Sequence, residues 1–122
     1  MRQPRRGEIW FIKFPTDPPD KNPRPVVIVS IDARNVSERA NTVLVVPLST
    51  TPARAPSHIE LSPGETGLSS VSTIRAEDIS TVRKASLREP NQRLRVLSEN
   101  TLRKVARGVI VAMGLVGTEL SP

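Results

Sequence analysis

Residues 7–14 read GEIWFIKF and residues 24–31 read RPVVIVSI, and these two runs decide the fold class. In the first, Glu8, Trp10, Ile12 and Phe14 fall on one face of a strand. The second is a β-branched run, apolar on both faces, as a strand buried on both sides would be. Between them lies PTDPPDKNP, residues 15–23. A proline-stiffened connection of that kind predicts a hairpin with a long, exposed tip.

Working outward, residues 42–48 (TVLVVPL) are a third strand, with Pro47 marking its edge or a bulge. Residues 57–61 (SHIEL) alternate as a fourth, and residues 63–67 (PGETG) are a turn. Residues 68–73 and 78–84 are weaker strand candidates; in the latter Ile79, Thr81 and Arg83 alternate against Ser80 and Val82. The period then changes. Ser98 is placed to cap a helix, with Glu99 in the first turn where the dipole favours an anion. Leu102, Val105, Ala106, Val109, Ala112 and Met113 recur at helical spacing, while Arg103, Lys104 and Arg107 lie off that stripe. Gly108 weakens the helix locally, and Gly114 or Gly117 can end it. The order predicts a single α+β domain over residues 1–122, mainly β: a curled antiparallel sheet capped by a C-terminal helix.

Composition narrows the chemistry. A chain of 122 residues supports one core, and with 2% aromatic residues that core must be mostly Val, Ile and Leu. There is no cysteine, hence no disulfide and no thiolate metal site. No apolar run approaches the roughly 18 residues of a membrane span, and no signal-peptide core follows the basic N-terminus. No membrane association is expected, and a cytoplasmic location is the default. The net charge is +6, and 14 of the 18 basic residues are Arg. The guanidinium fork fits phosphate oxygens, so a polyanionic partner competes with simple solubility as the reason for the charge.

One histidine and no cysteine exclude a Cys/His zinc site and a Cys–His nucleophilic pair. No carboxylate cluster resembles a two-metal nuclease; Asp17 and Asp20 in the proline-rich loop are expected to be solvated turn residues. Neither a P-loop nor a GxGxxG fingerprint is present, so no cofactor and no metal are expected. What remains is chemistry that needs neither metal nor imidazole. RNA carries its own nucleophile, the 2′-OH beside each phosphate. An enzyme acting on it must orient the phosphate, stabilise the developing charge and move two protons. Composition alone does not locate those groups.

Six short motifs do. Arg6-Gly7-Glu8-Ile9-Trp10 resembles the opening of the MazF/PemK toxins. Arg24-Pro25-Val26-Val27-Ile28-Val29-Ser30 is similar to their second strand, and Val45-Val46-Pro47-Leu48-Ser49-Thr50 to the end of their third. Ser57-His58-Ile59-Glu60-Leu61 resembles a further strand, Glu77-Asp78-Ile79-Ser80-Thr81-Val82 sits where the family reads DQ-h-R-T-h (h apolar), and the helix from Leu97-Ser98 to Leu115 resembles its last. Each motif is weak alone; six in order, over about residues 6–115, form a joint signal.

The resemblance implies a small SH3-like antiparallel barrel of the CcdB/PemK type. It implies a homodimeric toxin that cleaves single-stranded RNA, mRNA foremost, by 2′-OH attack on the adjacent phosphate. A cognate acidic MazE-like antitoxin, partly disordered, would bury the basic groove around Arg24. Arg24 falls on the family's catalytic arginine and Ser49, with Thr50 beside it, on its catalytic hydroxyl. Arg75 and Glu77 fall where some members place an arginine and an acid. Lys21, Asn22, Arg54 and His58 are candidate RNA contacts, while Trp10 and Phe14 are expected in the core rather than stacked on bases. Three departures stand out: the proline-rich loop replaces a glycine-containing one, Asp78 stands for the usual Gln, and Ser80 for the usual Arg. Two other readings are a non-catalytic poison of a protein such as gyrase and a bare basic nucleic-acid-binding barrel.

Overall fold

The computed structural model describes residues 2–14, 16–90 and 93–115. Among these residues seven strands run β1 Ile9–Ile12, β2 Arg24–Ile28, β3 Thr42–Ser49, β4 His58–Leu61, β5 Ser72–Arg75, β6 Ser80–Arg83 and β7 Leu87–Arg88. Helices are α1 Asp32–Asn35, α2 Pro63–Thr66 and α3 Glu99–Ala112. All ladders are antiparallel, in the order β4-β5-β3-β2-β1-β7, with β6 also on β3. β3 serves two neighbours on one side: residues 42–45 pair β6 and residues 48–49 pair β5. Pro47, which has no N–H to give, lies at the break between them. The barrel that the resemblance implies is not closed: the ladders of the described residues leave the path open at β4 and β7.

The sheet is buried on both faces, and the odd–even alternation sorts its side chains. Ile9, Val27 and Val46 form a cross-strand row on one face, joined by Leu48, Ile74 and, from α3, Leu102 and Val105. Trp10, Ile12, Val26, Ile28, Val43 and Val45 form the other, which the curl of the sheet closes with Val82 and Leu87. β2 is thus sandwiched, as its β-branched run predicted, and Trp10 is fully buried in the core.

Several boundaries differ from expectation. Pro63–Thr66 is one helical turn rather than a plain turn, because Ser62 N–H donates to Glu65 Oε2 at 2.7 Å in a capping box. Gly67 ends it at φ +82°, where a Cβ would meet Arg93 O at 2.4 Å. The strand expected at residues 68–73 begins only at Ser72. In α3, Ser98 caps as expected, its Oγ accepting from Thr101 N–H at 3.2 Å. The apolar stripe is narrower than expected: Leu102 and Val105 are buried, whereas Ala106, Ala112 and Met113 are exposed. Their place is taken by Gly108, whose Cβ would lie 2.7 Å from Ala76 Cβ and 2.9 Å from Ser57 O. The residue that costs the helix propensity is the one that lets it sit down on the sheet. Gly114, at φ +82°, follows the helix; Gly117 lies outside the described residues.

Candidate functional site

Arg24 opens β2 and Ser49 closes β3. The register sets Val26 opposite Pro47 and Val27 opposite Val46; continued by two residues it sets Arg24 opposite Ser49. Both line one cleft of about 520 Å³, together with Lys21, Thr50, Arg75 and Asp78. Three cations and one carboxylate line it, so the lining is net positive and suits an anion. Ser69, Ser70 and Ser72 add hydroxyl-bearing side chains to its lining. The Ser49 Oγ accepts from Thr51 N–H at 3.0 Å, which commits a lone pair and leaves its O–H to donate.

Arg24 is held on two sides. Its Nη2 donates to Asp17 Oδ1 at 2.6 Å, and its Cζ lies 5.5 Å from the centroid of the Phe14 ring. Asp17 is therefore not the solvated turn residue expected: its side chain is 5% exposed, and Oδ2 accepts from Phe14 N–H at 3.1 Å. Lys21 Nζ stands 3.9 Å from the same carboxylate. Sequence reasoning missed this contact; the available signal was an acid inside the hairpin loop, seven residues before Arg24.

A second cluster adjoins the first. Glu77 Oε1 accepts from Ser57 Oγ at 2.8 Å, and Glu77 Oε2 meets His58 Nε2 at 2.8 Å. Arg54 N–H donates to His58 Nδ1 at 3.0 Å, so Nε2 is the nitrogen that carries the proton given to Glu77. Arg75 Nε bridges the clusters, 3.5 Å from Glu77 and 3.4 Å from Asp78. Glu77 does not line the cleft of Ser49. It lines a neighbouring one of about 400 Å³ that shares Arg24, Pro47 and Asp78. Asn22 and Arg54 are exposed and border neither cleft, and the His58 side chain is 9% exposed with both ring nitrogens engaged. Among the described residues no three His, Cys, Asp or Glu side chains are grouped to hold a metal ion.

Burial works against the charge of Glu77, but hydrogen bonds from His58 and Ser57 outweigh it and pull the carboxyl down to about 2. Because its folded value lies below the ordinary 4.5, Glu77 adds stability that is complete above about pH 4.5 and lost as the pH falls towards 2. Asp32 and Glu99 are lowered too, so the informative quantity is a difference. Urea midpoints should fall less between pH 5 and pH 2.5 in Glu77→Gln than in the wild type. Parallel curves would assign the acid loss to the other carboxyls.

A family model described as PemK-like, MazF-like toxin of type II toxin-antitoxin system matches residues 5–113. The probable endoribonuclease MazF of Mycolicibacterium smegmatis is 34% identical over 116 residues, covering 93% of this chain and 99% of the relative. A mycobacterial endoribonuclease solved in complex with its cognate antitoxin matches with a TM-score of 0.70 and 25% identity, over 92% of this chain and 96% of that one. The MazE–MazF structure of Deinococcus radiodurans, Form III, shares the fold with a TM-score of 0.72 at 18% identity, over 93% and 99% of the two chains. Among the described residues no helix is long and apolar enough to cross a membrane.

Proposed function

This chain belongs to the PemK-like, MazF-like toxins of type II toxin–antitoxin systems, and from that premise we propose that it is an endoribonuclease cutting single-stranded RNA at the Arg24–Ser49 cleft. The observation that carries the reading is the meeting of Arg24 and Ser49 in one basic cleft, from strands whose ends lie far apart in sequence. The 2′-oxygen bonds to phosphorus, the P–O5′ bond breaks, one proton leaves the 2′-OH and another reaches the departing 5′-oxygen. Arg24 stabilises the charge on the five-coordinate phosphorus, and Ser49, with Thr50 beside it, donates to a phosphate oxygen. Arg75 binds a phosphate from the other side of the cleft. Glu77, with a pKa of about 2, is too weak a base for efficient proton abstraction near neutrality; its part is to hold Arg75 and His58 in place.

No step in this scheme requires a metal. Purified protein should therefore cut a long single-stranded RNA in EDTA and leave 2′,3′-cyclic phosphate and 5′-hydroxyl ends. Cleavage abolished by EDTA, or 5′-phosphate ends, would overturn the mechanism. The relative named an endoribonuclease supports the catalytic reading over a gyrase-type poison or a passive RNA binder. The protein works in the cytoplasm as a homodimer, against mRNA foremost. Its inhibitor is an acidic MazE-like antitoxin laid over the basic cleft, a partnership supported by the neighbour solved with its cognate antitoxin.

A further inference from the structure

The proline-rich loop shapes the site as well as bordering it. Asp17 N–H donates to Phe14 O at 2.9 Å and Lys21 N–H to Pro18 O at 3.0 Å, giving two successive turns. Pro18, Pro19 and Pro23 fix their own φ angles, and Lys13 Nζ ties the Pro19 carbonyl back to the end of β1 at 2.5 Å. The loop thereby presents one carboxylate, nearly buried and anchored on a backbone N–H, to one edge of Arg24.

We infer that Asp17 is a positioning residue for the reaction, holding the Arg24 guanidinium by Nη2 against the Phe14 ring so that its free edge faces the cleft. A second observation supports a pose fixed from outside. Arg24 Nε is buried with no hydrogen-bond partner, an unmet donor that an unrestrained side chain would turn to satisfy. Asp17 and the ring hold it there, as strain is held at a working site. Preorganisation of this kind acts on the transition state, where a guanidinium displaced by about 1 Å loses much of its effect. Lys21 offsets the negative charge that Asp17 would otherwise set against the incoming phosphate.

The inference rests on Arg24 stabilising the phosphate, so its test needs a readout apart from cleavage. Asp17→Ala should lower kcat about 10- to 100-fold with KM nearly unchanged, the size of effect met when the partner that orients a metal ligand is removed. Asp17→Asn, which keeps one of the two acceptor oxygens, should fall between. In an Arg24→Lys background Asp17→Ala should add nothing. Side-chain NMR of the wild type should show Arg24 with hindered rotation about Nε–Cζ, lost in Asp17→Ala. An unchanged rate per folded molecule in Asp17→Ala, a lowered KM, or freely rotating Arg24 in the wild type each overturns the role. A hindered Arg24 in a wild type that cuts no RNA sinks the ribonuclease reading instead, and the rate effect of Asp17 with it.

Discussion

Arg24→Ala should lose about 100- to 1,000-fold in the rate of RNA cleavage, the usual effect of removing one preorganised donor from a developing oxyanion. The geometry gives the size of the effect. Arg24 lines both adjoining clefts, and its guanidinium is held by Asp17 and the Phe14 ring. Alanine also leaves Asp17 without its principal partner, so loss of stability must be separated from loss of catalysis. Arg24→Lys does this. Lysine keeps a cation near Asp17 but replaces a planar fork with a single point charge, so it should fold well and still fall far below the wild-type rate. Circular dichroism and urea midpoints report the fold, and single-turnover cleavage of a short RNA reports the chemistry. A folded Arg24→Lys variant cutting at the wild-type rate would remove the guanidinium from the mechanism.

The sequence made the strand ends readable and left their meeting unreadable. Residues 24–31 announced a strand buried on both faces because β-branched side chains run unbroken from Val26 to Val29, and α3 announced its start because Ser98 caps it. Arg24 and Ser49 were found by resemblance to a family pattern. That they share a cleft follows from the β2–β3 register, which no local pattern specifies. The Ser57–His58–Glu77 cluster is similar: its members lie about twenty residues apart and are joined by the β4–β5 ladder that sets His58 opposite Arg75. Asp17 was misread because an acid among prolines usually faces water; its burial depends on how the hairpin closes. Gly108 was misread for a related reason. Propensity counts the entropy a glycine costs, whereas the close approach of Ala76 and Ser57 is a tertiary fact.

Trp10→Ala should be the most destabilising single truncation in the sheet, costing about 3–5 kcal/mol. Set against the roughly 5–15 kcal/mol of a typical domain, that leaves a protein close to unfolding. Trp10 is fully buried, the bulkiest member of the cluster with Ile12, Val26, Ile28, Val43 and Val45. Few aromatic residues are available, and the neighbours are short β-branched chains that cannot swing into the space left behind. Removing the indole also takes away the N–H that donates to Glu8 Oε1 at 3.1 Å and the face over which Arg2 sits at 5.2 Å. Trp10→Phe separates the contributions, since it keeps an aromatic body and loses only the outer ring and the donor; it should cost far less. The damage reaches the site because Trp10 pairs Val26 and Ile12 pairs Arg24 across the same ladder, so a loosened β1 blurs the guanidinium. Cleavage by Trp10→Ala should therefore fall at temperatures where the variant is still mostly folded. An unfolding free energy from urea titration within about 1 kcal/mol of the wild type would mean the curled face is not packed around this ring, and the sheet would need another source of cohesion.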